Sequence, residues 1–274
     1  MNRSRLVMAL IVAAIALLGY YGVQNFNPIT GENQHISLTQ DQEIALGLQS
    51  APEMADQFGG EDTDPERRAV VEAVGQRVAS QSVAGRTGYK FSFKLLRDPE
   101  TVNAFALPGG PVFITRALLD RLPDEAALAG VLGHEVGHVI ARHSAEHIAR
   151  SQLAQGLVGA AGLAGSSGDD GGQRSAQIAA FVAEMAQLRY GRQDEIQADT
   201  LGVRLMSEAG YDPRALIDVM KVLEAAAGSA RPPEYLSSHP DPGNRKARIE
   251  AAIQSHFPNG VPNTLTRGGA FHPS

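Results

Sequence analysis

Residues 123–150 read PDEAALAGVLGHEVGHVIARHSAEHIAR, and within them His134, Glu135, Val136, Gly137 and His138 form the pattern H-E-x-x-H. On an α-helix, residues four apart stand one turn above each other on the same face, so both imidazoles can converge on one metal ion. Glu135 lies about 100° further round, beside such an ion, where a carboxylate can take a proton from water. The flanking residues predict one helix across the whole stretch. Pro123 suits a first helical position, Asp124 and Glu125 favour the positive end of the helix dipole, and the chain then runs almost without charge to Arg142. Gly130, Gly133 and Gly137 each cost up to roughly 1 kcal/mol of helix propensity, which predicts close approach by another backbone. Two ordinary core histidines are the alternative. Unpaired polar side chains are expensive at the centre of an apolar helix, which favours the metal.

Composition narrows the chemistry. The 274 residues are 43% hydrophobic, enough for one globular domain with a real core. A net charge of -6 argues against nucleic acid as a main partner. There is no cysteine, which removes disulfides, thiolate ligands, a cysteine nucleophile and a lipidated cysteine. A metal must therefore be held by nitrogen and oxygen.

Outward from the metal stretch, the chain divides into four parts. Residues 1–23 carry Arg3 and Arg5 ahead of the uncharged run LVMALIVAAIALLGYY, which predicts a signal anchor or signal peptide with the following domain on the outer side of a membrane. Residues 24–38 are polar and are expected to be a linker. Residues 39–255 form the catalytic domain: helices open at Thr39 (a capping box with Gln42), at Asp64-Pro65, and at Asp212-Pro213. A strand is expected over Tyr89–Leu95, and NAFALPGGPVFIT, 103–115, reads as a strand, a Pro-Gly-Gly-Pro turn and a second strand. The edge formed by Asn103, Ala104, Phe105 and Ala106 can pair with an extended peptide through main-chain hydrogen bonds. Residues 156–175 are rich in Gly, Ala and Ser and predict a surface loop or a lid; residues 256–274 predict a loose tail. The fold class is α+β, mainly helical, with a small antiparallel sheet.

A catalytic zinc site takes three protein ligands and leaves one position open. The pattern with a third histidine six residues after the second requires glycine at position 141 and histidine at position 144, but the chain has Ala141 and Ser144. His143 and His147 fall on the polar end of the stretch and are expected to be surface histidines. Glu195 is the best third ligand, because Asp199, one helical turn on, can hydrogen-bond the free ring nitrogen of a zinc histidine. Glu184, Glu208 and Glu224 lack such a partner.

HEVGH, followed by QDEIQAD and then SSHPDPGNR, resembles the gluzincin peptidases of the family that holds the CAAX prenyl endopeptidases and HtpX-type membrane proteases. NPITGENQ, 27–34, is similar to the lead-in of its periplasmic quality-control branch. The resemblance implies an H-E-x-x-H zincin domain holding one zinc per chain, with His134, His138 and Glu195 as ligands, Glu135 as general base and Asp199 beside the ligands. It further implies a role for His239, either stabilising the oxyanion or capping the metal at rest, and for Arg245 after it. The expected function is a zinc metalloendopeptidase acting on unfolded or misassembled envelope proteins from an inner-membrane anchor. The rivals are a non-catalytic chaperone-like binding protein and a zinc hydrolase of a non-protein substrate. Nothing in the sequence fixes an oligomeric state.

Overall fold

From Ala126 to Ile140 every residue except His134, Glu135 and His138 is apolar or small; such a helix has no solvent face, and the rest of the chain is wrapped around it. The computed structural model describes residues 3–163, 180–185, 188–228, 233–240 and 244–271. In chain order the elements are α1 (Arg3–Tyr21), β1 (Asn25–Asn27), β2 (Glu32–Gln34), α2 (Gln40–Gln57), α3 (Pro65–Ser80), β3 (Ser92–Leu96), β4 (Ala104–Ala106), β5 (Pro111–Thr115), α4 (Arg116–Leu119), α5 (Glu125–Ile140), α6 (His143–Leu163), α7 (Arg192–Glu208), α8 (Ala215–Ala227), α9 (Tyr235–Ser238) and α10 (Arg245–His256). Residues 180–185 are also helical.

α5 is buried from Ala126 to Ile140 and packs against α7, α3, α8 and the sheet. The glycines explain the tightest of these contacts. A Cβ on Gly133 would meet the Gly202 carbonyl oxygen at 3.4 Å, one on Gly137 the Ala198 oxygen at 3.1 Å, and one on Gly202 the His134 nitrogen at 3.2 Å. The backbone expected to compensate for the α5 glycines is thus α7, and its approach brings Glu195 and Asp199 to the histidines.

Both ends of α5 differ from the single helix expected over 123–150. Pro123, expected at the first helical position, lies before the helix, and Asp124 caps the start, its carboxylate accepting from the Ala127 amide at 2.9 Å. At the other end Arg142 adopts a left-handed conformation, φ 63°, and splits the stretch into α5 and α6. Its guanidinium donates to the Leu38 carbonyl at 2.8 Å and pairs with the buried Glu43, which offsets the backbone cost of a non-glycine residue there.

Two flanks expected to be unstructured are tied to this helix. Residues 24–38, expected as a linker, form the antiparallel hairpin β1–β2. Asn27 Nδ2 donates to the Ile140 carbonyl at 2.9 Å and Gln34 Nε2 to that of Ala141 at 2.6 Å, satisfying acceptors that the end of α5 leaves open. The stretch from 256, expected as a loose tail, does the same at the start: the Ala126 amide donates to the Arg267 carbonyl and the Glu125 amide to that of Gly269, both at 3.0 Å. Polar sequence without periodicity hides such caps, because side-chain and main-chain bonds to a distant helix end leave no period.

The three-stranded sheet is mixed, in the order β3-β5-β4, and not purely antiparallel. β4 and β5 form the expected hairpin around Gly109 and Gly110, both at positive φ. β3 runs parallel to β5 on its other side, so β3 and β4 are the two outer strands. α1 packs against α6; among the described residues, no helix is long and apolar enough to cross a membrane. The loop expected over 156–175 is helical as far as Leu163, and its remainder, 164–175, lies outside the described residues.

Candidate active site

His134 and His138, one turn apart on α5, are both at most 1% exposed. Their Nε2 atoms stand 3.0 Å apart. Glu195, from the first turns of α7, reaches the same point: its Oε1 lies 3.4 Å from His138 Nε2 and its Oε2 3.6 Å from His134 Nε2. His239, just after α9, completes the group with Nδ1 3.0 Å from Glu195 Oε1 and 3.3 Å from His134 Nε2. The four donor atoms all lie within 4.8 Å of one another. Tetrahedral zinc with bonds of about 2.0–2.1 Å spaces its donors roughly 3.3 Å apart, so this nitrogen and oxygen set fits a zinc ion. Glu195 Oε2 and His239 Nε2, both buried, have no hydrogen-bond partner among the described residues.

Around this group sit residues that fix it. Asp199 Oδ1 accepts from His134 Nδ1–H at 2.9 Å, which leaves Nε2 as the free, metal-facing nitrogen. Arg245, opening α10, grips Asp199 with two bonds of 2.8 Å and lies 3.3 Å from Glu195 Oε2. Burial would push both carboxyls up; for Asp199 the Arg245 cation outweighs it, and for Glu195 the imidazoles of His239 and His138 do, so both are held below the usual carboxylate range. Burial pushes the His138 imidazole well below its usual range. The site thus offers ionised carboxylates and a neutral imidazole, the forms that bind a cation.

Glu135 stands apart from these. It is fully buried, and among the described residues neither carboxylate oxygen has a hydrogen-bond partner; His239 Nε2 is 3.6 Å from its Oε1. Burial pushes its carboxyl up to about 7, where it can both take and return a proton near neutral pH.

The expected residues therefore come together: His134, Glu135, His138, Glu195, Asp199, His239 and Arg245 form one buried cluster. Of the expected edge, Asn103, Phe105 and Ala106 line an apolar recess with Met54, Leu107, Leu188 and His239; Ala104 is buried on the strand between them. One expectation fails. His143 is not a surface residue: it is 4% exposed, and its Nδ1 is 2.8 Å from His138 Nδ1. The Arg142 turn swings it back against the site, and a break with no glycine or proline gives no sequence signal. His147, expected to be a surface residue as well, is half-buried and has no part in the cluster. Tyr190 and Tyr235 were also hidden. Tyr190 stacks on His138 with centroids 3.8 Å apart, and Tyr235 on His239 at 4.4 Å.

The chain is similar in sequence to known proteins. The metalloendopeptidase OMA1 of Schizosaccharomyces pombe is 35% identical over 62% of this chain and 48% of its own length. The beta-barrel assembly-enhancing protease of Escherichia coli (strain K12) is 35% identical over 67% of this chain and 38% of its own. That of Yersinia pestis is 29% identical over 88% and 50%. The chain thus spans half or less of the length of these curated relatives. Residues 65–253 match Peptidase family M48, a span that runs from α3 through every residue of the buried cluster, and the chain belongs to that family.

Proposed function

We propose that this chain is a zinc-dependent endopeptidase that cuts unfolded or misassembled proteins of the cell envelope. The observation that carries the proposal is the convergence of His134, His138 and Glu195 beside a buried carboxylate, Glu135, whose oxygens have no hydrogen-bond partner among the described residues. A zinc ion held there supplies Lewis acidity, polarising a carbonyl and acidifying water. Glu135 takes the proton from the attacking water and returns it to the leaving amine. Asp199 and Arg245 keep the ligands oriented and ionised. The outer edge of β4 lines up an extended chain by main-chain hydrogen bonds, a mode that reads little side-chain sequence, and the apolar recess beside it receives a nonpolar side chain. The substrate class draws support from the relatives, whose names speak of metalloendopeptidases and of β-barrel assembly.

His239 acts as a resting cap. Its Nδ1 lies within the ligand group, 3.0 Å from Glu195, in the place where a substrate carbonyl or water has to enter. His239→Ala is therefore expected to raise zinc-dependent cleavage of denatured casein several-fold; a fall would assign His239 to the oxyanion instead. If zinc-loaded wild type and His239→Ala both leave casein and unfolded envelope proteins intact, the peptidase proposal fails.

α1 attaches the chain to a membrane, with the active site on the periplasmic side. The support is Arg3 and Arg5 ahead of a run whose Leu10, Ile15 and Leu18 are exposed. Removing residues 1–23 is expected to move the protein from the membrane to the soluble fraction on alkaline extraction; equal partition of both forms would exclude the anchor.

A further inference from the structure

His143 was missed by sequence reasoning, and its contacts form a directed chain. His138 Nδ1 and His143 Nδ1 are 2.8 Å apart, His143 Nε2 is 2.9 Å from Gln197 Oε1, and Gln197 Nε2 donates to Glu32 Oε2 at 3.1 Å. Two imidazole nitrogens at that distance share one proton, so one ring donates and the other accepts. Which is which decides whether His138 can bind a metal. If His138 carries its proton on Nδ1, its Nε2 lone pair faces Glu195 and His134. If it carries the proton on Nε2, the ligand position is blocked.

The far end of the chain settles the direction. An ionised carboxylate only accepts hydrogen bonds. Glu32 therefore takes the NH₂ side of the Gln197 amide and turns its carbonyl toward His143. That carbonyl accepts from His143 Nε2–H, which leaves His143 Nδ1 as an acceptor, and His138 donates from Nδ1. Reversing the amide would set its carbonyl against the Glu32 carboxylate and put the His138 proton on Nε2. We infer that Glu32, Gln197 and His143 are positioning residues that hold His138 in its metal-binding tautomer, so that the β1–β2 hairpin is part of the metal site. The same hairpin caps α5 through Asn27 and Gln34, so one element fixes both the end of the metal helix and the proton of its second histidine. Asp199 performs the matching task for His134 by direct contact; His138 Nδ1 meets His143 and receives the influence of a carboxylate through two neutral groups.

The inference rests on the zinc site proposed above, and its test separates the two. Long-range ¹⁵N–¹H NMR of the metal-free full chain is expected to show His138 as the Nδ1–H tautomer and His143 as Nε2–H. In competition with a chromophoric chelator, His143→Leu is expected to bind zinc 10–100-fold more weakly, the usual range for a lost partner of a ligand. His143→Asn, whose Oδ1 stands where Nδ1 was and can accept the same proton, is expected to recover most of that loss. Glu32→Gln, on the surface and far from any folding core, is expected to weaken zinc less than His143→Leu. The inference is overturned by an Nε2–H tautomer at His138, by wild-type affinity in His143→Leu, or by His143→Asn binding as poorly as His143→Leu. A wild type that binds no zinc while showing the stated tautomers would remove the zinc proposal and leave the relay standing.

Discussion

Glu135→Gln is expected to keep its zinc and to cleave casein a hundredfold or more slowly than the wild type. Glu135 is not one of the four groups that converge at the metal position, and among the described residues neither of its oxygens carries a hydrogen bond, so an amide of the same shape leaves that group in place. What is lost is the proton acceptor. General acid–base assistance is worth about 10² to 10⁴ in rate, and here one residue serves in both directions, first as base and then as acid. Zinc content by atomic absorption and casein cleavage, measured side by side, check the prediction. Cleavage at the wild-type rate would remove Glu135 from the mechanism; loss of zinc would make it a structural residue.

The same substitution has a second consequence, in the metal-free protein. Burial raises the Glu135 carboxyl from 4.5 to about 7. A carboxyl whose folded pKa is raised contributes stability that is complete below about pH 4.5 and is lost as pH rises through 7, because the folded state must then bury a charge. The shift corresponds to roughly 3 kcal/mol. Gln carries no such cost. In urea titrations with chelator present, Glu135→Gln should gain on the wild type by about that amount between pH 5 and pH 8. Comparing the two proteins at each pH cancels the opposite contribution of His138 and His143, which burial holds neutral and which lose stability as pH falls. A constant difference across the range would mean that the wild-type carboxyl titrates as in solvent.

Much of this site was legible because its signals are local. His134 and His138 declare themselves by spacing, and Asp64 and Thr39 by capping chemistry that the structure repeats. Gly130, Gly133 and Gly137 in an apolar helix demanded a close neighbour, and α7 supplies it at Gly133 and Gly137. Glu195 and Asp199 followed from one-turn spacing together with the absence of cysteine. What stayed hidden depends on contacts between distant segments. The Arg142 turn is stabilised by Glu43, 99 residues away; the distant partners of the α5 ends are residues 27, 34, 267 and 269; and β3 pairs in parallel with β5, across β4, which intervenes in sequence. The role of His143 needed all of these, since it depends on where α6 starts, on α7 carrying Gln197 past it, and on the hairpin presenting Glu32.

Arg245→Leu is expected to destabilise the metal-free protein by about 3–5 kcal/mol, the usual cost of removing one partner from a buried ion pair. Arg245 is buried with its fork on Asp199 and its edge on Glu195, and it is the cation that outweighs the burial of Asp199 inside the core. Leu removes that positive charge from beside both carboxylates. Zinc changes the outcome, because a divalent cation beside Glu195 supplies positive charge where the guanidinium was. The loss should therefore be smaller in the zinc-loaded protein than with chelator. By linkage, that difference equals a gain in zinc affinity of whatever folded variant remains. Adding Asp199→Asn should restore part of the metal-free stability: the amide oxygen still accepts from His134 Nδ1–H, while the second unpaired charge is gone. Urea midpoints for wild type, both single variants and the double variant, with zinc and with chelator, measure each of these quantities. Equal losses in the two conditions would mean that Arg245 acts by packing alone. A loss under about 1 kcal/mol in the absence of metal would show that Asp199 and Glu195 share protons and need no cation to hold them.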